Sequence, residues 1–144
     1  MAAVIRTANW HSERSAIRSI RDAVFVREQK VPADLEWDTL EESARHFLVF
    51  KDGEAIGTGR LTADGKIGRL ALIKSARGLG YGAKLLETIC EHAQTLGHQR
   101  VYLHAQQQAQ GFYSRVGFVV KGDIFSEANI PHIRMVRDLD FSSG

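Results

Sequence analysis

Apolar residues that recur every three to four positions predict the helices of the chain. A first helix is expected from Ser12 to about Val26, because its apolar positions fall on one face with arginines between them. The clearest helix follows a glycine-rich turn; its apolar face repeats as far as Leu96, and Gly97 is a typical C-terminal stop. A third, short helix is expected within "QQAQGFYSRV".

Short apolar runs rich in strand-forming residues predict the strands. A first strand is expected at "VIRTAN", and the runs "HFLVFK", "EAIGTGRLT" and "KIGRLALI" follow, joined by the hairpin signals "DG" and "ADG". The last strands are "RVYLHA", then "GFVVKG" and "PHIRMVRDL" around the loop "DIFSEANI". The order β, α, β, β, β, α, β, α, β, β combines an antiparallel meander with a β-α-β crossover. We therefore expect an α/β fold with one mixed, mostly antiparallel sheet covered by helices.

Composition limits the classes of protein and partner. The 144 residues are 44% hydrophobic and contain no linker or repeat, so residues 1–144 are expected to form a single domain. The net charge is +2 and the basic residues are scattered, which counts against nucleic-acid binding. No run approaches the ~20 apolar residues of a membrane span, the polar start does not suit a signal peptide, and Cys90 is the single cysteine. A cytoplasmic protein without a membrane partner is expected.

The glycine-rich turn before the long helix is the strongest candidate for a binding site. Gly78, Gly80 and Gly82 follow Arg77 and lead into the helix, whose first N–H groups have no partner within the helix. The helix dipole adds partial positive charge, the side chain of Arg77 would add more, and glycines let a ligand approach the backbone. This pattern favours binding of an anion such as a phosphate. The alternative is that the glycines only form a tight turn.

Two familiar phosphate motifs do not fit this turn. A Walker loop requires Gly-Lys-Ser/Thr, whereas the segment Gly82–Leu85 lacks both the adjacent lysine and the hydroxyl. A Rossmann fingerprint fits the spacing of Gly78, Gly80 and Ala83, but the acidic residue expected after the next strand is missing from "RVYLHAQQ". A nicotinamide site is therefore not expected.

The segment Arg77–Gly82 resembles the Arg/Gln-x-x-Gly-x-Gly/Ala signature of the GNAT superfamily of acetyl-CoA-dependent N-acetyltransferases. The segment Ala105–Phe118 is similar to a later motif of that superfamily, a short helix ending in Phe-Tyr followed by Gly-Phe at the start of a strand. "VFVREQKVP" and "FSEANIPHIRM" are similar to its ElaA-like and YjcF-like branches. The resemblance covers nearly the whole chain. It implies the GNAT fold, with a splayed strand pair and helices on both faces of the sheet.

The resemblance also implies acetyl-CoA as the cosubstrate and indicates its place. The pantetheine arm would pair with the backbone of Leu70, Ala71 and Leu72, and the N–H of Leu72 would stabilise the developing oxyanion. The phosphates would lie at the glycine turn. The other contacts that it implies come from Leu79, Tyr81, Gln106, Phe112 and Tyr113. From the residues alone, Leu70–Leu72 would be an apolar core strand.

The same resemblance makes Tyr113 the acid that protonates the departing thiolate, because a phenol holds its proton at neutral pH. The alternative is that Tyr113 only packs against its aromatic neighbour. No base is evident, since Gly68 and Arg69 stand where some relatives have a glutamate. The candidates elsewhere are Glu28, Asp38, His104, Glu127 and His132, of which the two histidines are chemically suited to this role. Each alone is more often structural than catalytic, and a water relay is also open.

We therefore expect an N-acetyltransferase that transfers an acetyl group to a primary amine of a small molecule or peptide by direct attack. The acceptor pocket is expected between "VFVREQKVPADLEWD" and "FSEANIPHIRM", where Glu28, Asp38, Glu127 and His132 would favour a cationic amine. A non-catalytic acyl-CoA-binding sensor is the alternative function, and solvated surface acids are the alternative for the carboxylates. A homodimer is compatible with the sequence, and the histidine spacing indicates no metal site.

Overall fold

The strands form one eight-stranded sheet in the computed structural model, which describes residues 3–30 and 39–139. They are β1 (Ala3–Ala8), β2 (Arg45–Lys51), β3 (Glu54–Leu61), β4 (Lys66–Leu72), β5 (Arg100–Gln106), β6 (Val119–Val120), β7 (Phe125–Glu127) and β8 (Ile130–Asp138). Their order is β1-β2-β3-β4-β5-β8-β6, and β7 pairs with β8. All pairs are antiparallel except β4 and β5. The expected mixed, mostly antiparallel sheet is confirmed.

The main helices occur where the apolar periodicity predicts them. They are α1 (Trp10–Arg21), which continues as a π-helical segment (Asp22–Glu28), α2 (Tyr81–Thr95) and α3 (Gln110–Arg115). Helix α1 begins two residues earlier than the apolar pattern indicates, because Asn9 caps it by accepting a hydrogen bond from the Ser12 N–H at 3.0 Å. Within the described ranges, no helix is long and apolar enough to cross a membrane.

Helices cover both faces of the sheet, as expected. On β2, Phe47 and Val49 pack in the core cluster that contains the apolar face of α2. Leu48, between them, points to the other face and joins the cluster that contains Ile17 and Ile20 of α1. This alternation follows from the two-residue period of a strand, so a fully apolar strand can serve two helices.

Strands β4 and β5 pair at only two positions, Lys66 with Tyr102 and Ile67 with Leu103, and then separate. A bulge in β4 accompanies the separation, since Gly68 lies opposite Arg60 while Ala71 lies opposite Thr58. The segments 68–72 of β4 and 104–106 of β5 therefore border an opening in the sheet. This is the splayed strand pair that the family resemblance implies.

The region after α3 differs from the sequence prediction. The strand expected at "GFVVKG" is reduced to β6, since Gly117 and Gly122 lie on either side of it with φ values of 91° and 101°. The predicted loop "DIFSEANI" contains β7, which forms a hairpin with β8 through Ala128 and Asn129. Both turn residues have positive φ, 52° and 62°, as a two-residue type I′ turn requires. A three-residue strand is too short to show periodicity in the sequence.

Candidate active site

The glycine turn forms an open cradle at the N-terminus of α2. Gly80 is the N-cap residue with a φ of 87°, and no side chain caps the helix. The first turn contains no acidic residue that would repel an anion. A Cβ atom added at Gly78 or Gly80 would meet nothing within 4 Å. No described protein atom therefore fills the space beside these two glycines at the start of the helix, which suits a phosphate group.

The other residues of the turn anchor it to the fold. A Cβ atom at Gly82 would lie 3.6 Å from Leu72 Cδ1 and 3.4 Å from Phe112 Cζ, so this glycine packs α2 against β4 and α3. Tyr81 is buried in the core, whereas Leu79 is 57% exposed. Of these two neighbours of Gly80, only Leu79 is accessible to a ligand.

The end of β4 turns part of its backbone toward the opening. Ala71 pairs with Thr58 of β3, and the N–H of Ile73 donates to the Ile56 carbonyl at 3.0 Å. Because alternate residues of an antiparallel strand face the partner strand, the N–H and C=O of Leu72 point the other way, into the opening. The predicted role of the Leu72 N–H agrees with this orientation.

Arg77 and Glu28 form an ion pair at the edge of the opening. Arg77 Nη1 and Nη2 lie 2.5 and 2.7 Å from the two carboxylate oxygens of Glu28. Arg77 also donates to the Leu72 carbonyl from Nε at 3.1 Å and Nη2 at 2.9 Å. The hydrogen bond from Arg77 lowers the pKa of Glu28. The expected phosphate-site arginine and the expected acceptor-site glutamate thus bind each other.

Gln106 lies at the opposite edge of the opening, at the end of β5. Its Nε2 donates to Gln29 Oε1 at 2.8 Å, and its Oε1 accepts from Gln108 at 2.7 Å. Gln29 directly follows Glu28 at the end of the π-helical segment. That segment therefore contacts both edges of the opening.

A cavity of about 570 Å³ is lined by residues from both segments that are expected to border the acceptor pocket. Its lining includes Phe25 and Gln29 from the first expected segment and Glu127 and His132 from the second. The predicted site residues that it brings together are Leu70, His104, Gln106, Tyr113, Glu127 and His132. Glu28 does not line this cavity, and Asp38 lies outside the described residues.

The side chain of Tyr113 lines this cavity. Its ring packs edge-on against Phe112 and Phe118, with centroids 5.1 and 6.2 Å away. Burial raises the pKa of Tyr113 to about 12, so the phenol is protonated at neutral pH. Its hydroxyl makes no hydrogen bond with another residue in the ranges 3–30 and 39–139. The proton is available to a ligand.

Glu127 joins the two histidines that were separate candidates in the sequence. Its Oε1 lies 2.8 Å from His104 Nδ1, and its Oε2 lies 3.7 Å from His132 Nε2. Burial acts to raise the pKa of Glu127, but the hydrogen bond from His104 and the charge of Lys66 outweigh it, so the pKa lies below its usual value. No metal-ligating group of three or more His, Cys, Asp or Glu side chains occurs among the described residues.

A buried ionic cluster beneath the cavity was missed in the sequence. Glu41, 5% exposed, accepts hydrogen bonds from Arg21 of α1 at 3.2 and 2.7 Å and from Arg60 of β3 at 3.1 Å. Burial acts to raise the pKa of Glu41, but both guanidinium groups outweigh it and the pKa is lowered. Arg60 lines the cavity, so this cluster supports its wall. An acid in the turn before β2 carries no sequence signal for such pairing.

Residues 9–139 match the family model of the acetyltransferase (GNAT) domain. The chain is 36% identical over 123 residues to the uncharacterized N-acetyltransferase YjcF of Bacillus subtilis (strain 168), an alignment that covers 83% of this chain and 88% of the relative. It is 34% identical over 145 residues to protein ElaA of Escherichia coli (strain K12), covering 90% and 93%.

Solved structures agree with these sequence matches. An acyl-CoA N-acyltransferase from Pseudomonas aeruginosa superposes with a TM-score of 0.84 at 33% identity, covering 94% of this chain and 99% of that one. Escherichia coli ElaA superposes with a TM-score of 0.83 at 29% identity, covering 96% and 100%.

Proposed function

The chain belongs to the GNAT acetyltransferase family, and from this premise we propose that it transfers an acetyl group from acetyl-CoA to a primary amine of a small molecule or peptide. The family membership establishes acyl transfer from acyl-CoA. The choice of acetyl and the nature of the acceptor are the proposal. The observation that carries it is the opening between β4 and β5, which lies beside the glycine cradle and leads to the cavity.

The cradle and the opening would hold two neighbouring parts of an acyl-CoA molecule, the phosphates and the pantetheine arm. The free N–H groups at the start of α2 would hold the phosphates, since the added-Cβ positions at Gly78 and Gly80 are open. The backbone of Leu70–Leu72 would pair with the amides of the pantetheine arm, as a peptide adds to a sheet edge. Arg77 would stay beside the arm, where it holds the Leu72 carbonyl.

Two groups of the chain would act on the thioester. The Leu72 N–H points into the opening and would stabilise the negative charge that develops on the carbonyl oxygen during attack. Tyr113 would give its phenolic proton to the departing sulfur, because it is protonated at neutral pH and its hydroxyl has no partner among the described residues. Acetyl-CoA supplies the activated acyl group, and the amine attacks it directly.

A thiol-release assay tests the proposal. Acetyl-CoA, propionyl-CoA and a long-chain acyl-CoA would each be incubated with a panel of cationic amines, amino acids and short peptides, while calorimetry measures CoA binding. Amine-dependent thiol release that is fastest with acetyl-CoA is the expected result. Faster release with a longer acyl group would contradict the acetyl assignment. CoA binding without any amine-dependent release would instead favour the sensor alternative.

A further inference from the structure

The polar side chains of β5 are directed toward the cavity face of the sheet. Val101, Leu103 and Ala105 are buried in the core with α2, so the alternating residues Tyr102, His104 and Gln106 lie on the other face.

His132 of β8 lies on this same face. It pairs with Gln106, two positions along from the pair formed by His104 and Arg134. The two imidazoles are thus diagonal neighbours across β5 and β8.

The β7–β8 hairpin brings a carboxylate to both imidazoles. The turn at Ala128 and Asn129 places Glu127 opposite Ile130, so that strand β7 folds back along β8. Glu127 Oε1 then lies 2.8 Å from His104 Nδ1, and Oε2 lies 3.7 Å from His132 Nε2.

These contacts determine where the ring protons lie. An ionised carboxylate only accepts hydrogen bonds, so His104 Nδ1 carries the hydrogen and the neutral ring has its lone pair on Nε2. The Ile130 carbonyl, 2.7 Å from His132 Nδ1, likewise requires a hydrogen on that nitrogen. Among the described residues, His104 Nε2 has no hydrogen-bond partner.

We propose, on the basis of the proposed function, that His104 Nε2 is the base that takes a proton from the acceptor amine. Glu127 is the positioning residue that keeps His104 in the required tautomer, and its second oxygen lies 3.7 Å from His132 Nε2. His104, Tyr113 and Leu70 line one cavity, so base, acid and splayed strand meet in the same space.

His104, Tyr113 and solvent account for every proton that the acceptor amine loses and the sulfur gains. An ammonium acceptor loses its first proton to His104 Nε2, which passes it to solvent, and the neutral amine then attacks. The C–N bond forms, the C–S bond breaks, and the sulfur receives the phenolic proton of Tyr113. The second proton lost by the amine nitrogen replaces the one that Tyr113 gave up.

Other charged groups surround the pair. Lys66 of β4 lowers the pKa of Glu127 together with the histidines. Arg134 of β8, which pairs with His104, stacks its guanidinium 4.7 Å from the Tyr102 ring. Among the described residues that line the cavity, Glu127 is the one carboxylate. It is therefore the group that offsets these cations and stabilises a protonated His104.

The tautomer can be measured without any substrate. Protein labelled with ¹⁵N-histidine would be examined by long-range ¹H–¹⁵N correlation, and the His104 signals would be assigned by their loss in His104→Ala. The Nδ1–H tautomer is expected in the wild type, and Glu127→Gln should populate the Nε2–H form. A wild-type ring with Nε2–H would overturn the proposal.

Kinetics test the chemical role with the amine found in the thiol-release panel. His104→Ala should lower kcat by about 10²-fold or more, and Glu127→Gln by about tenfold, with CoA affinity unchanged in both. Added imidazole should partly restore His104→Ala.

An exposed histidine provides the matched control. His11→Gln on α1 should retain wild-type kinetics, since His11 does not line this cavity. Wild-type turnover by His104→Ala at every pH would refute the base and favour a water relay. If the tautomer is as expected but no amine gives thiol release, the proposed function fails and not the His104–Glu127 arrangement.

Discussion

Replacing Gly80 by alanine tests whether the glycine turn holds the phosphates of CoA. The substitution should affect both the stability of the protein and its affinity for CoA. Gly80 has a φ of 87°, and an added Cβ would meet nothing within 4 Å. An alanine there must therefore adopt a left-handed conformation, which costs about 1–2 kcal/mol, while its methyl group enters the open space at the helix mouth. If the methyl displaces a phosphate from one N–H group, losing that charge-assisted hydrogen bond costs about 1.5–3 kcal/mol, or about 10- to 100-fold in CoA affinity.

Gly97 provides the matched control at the other end of the same helix. Its φ is 95°, and an added Cβ would again meet nothing within 4 Å. Gly80 precedes this helix (Tyr81–Thr95) and Gly97 follows it, so the two glycines are separated by about 25 Å along its axis. Gly97→Ala should lose the same stability as Gly80→Ala, about 3–8 °C in melting temperature, but keep wild-type CoA affinity.

The measurements are thermal unfolding and calorimetric titration with CoA for both variants. Equal CoA affinities would show that the cradle at Gly80 does not hold the phosphates. A Gly80→Ala protein as stable as the wild type would instead contradict the left-handed backbone at that position.

Three further outcomes are expected. Tyr113→Phe should lower kcat by about 10²-fold at unchanged CoA affinity. The control Tyr102→Phe loses a hydrogen bond to Asp64 at 2.5 Å outside the cavity, so it should lose stability but keep kcat. Equal kcat in both variants would show that Tyr113 only packs against its aromatic neighbours. Glu41→Gln should lower the free energy of unfolding in urea by about 3–5 kcal/mol at pH 7. The pKa of Glu41 is lowered in the folded state, so its ion pairs with Arg21 and Arg60 stabilise the protein fully above the usual carboxylate pKa of about 4.3. The difference in unfolding free energy between wild type and Glu41→Gln should therefore shrink as the pH falls below that value. A difference that stays constant with pH would contradict the pairing. Ala128→Gly should raise the free energy of unfolding by about 1 kcal/mol, because Ala128 has a φ of 52°, and a loss of stability would exclude the type I′ turn.

The sequence alone determined the elements that repeat a simple period. The apolar faces of α1 and α2 and the apolar runs of β2 to β5 are local patterns, and burial follows them closely. The glycine cradle was also local, because left-handed backbone at Gly78 and Gly80 favours glycine. Features without a period were not predicted correctly: the three-residue β7 was expected to be a loop, and the start of α1 after the Asn9 cap was expected two residues later.

The tertiary structure decided which polar groups meet. His104, Glu127 and His132 were separate candidates in the sequence; the β7–β8 turn and the pairing of β5 with β8 bring them into one cluster. The Arg77–Glu28 ion pair joins residues 49 positions apart. The alternation of "RVYLHAQ" does contain a usable signal, since its polar residues must share one face of β5.

This division has a physical reason. Hydrophobic periodicity and backbone φ are properties of neighbouring residues, so they can be read along the chain. A hydrogen bond or an ion pair depends on two side chains meeting within about 3 Å, and that distance is set by strand register, turn geometry and the bulge in β4. The sequence therefore determined the sheet, the helices and the cradle, whereas only the folded chain decided that Glu127 orients His104 and that Arg77 holds Glu28.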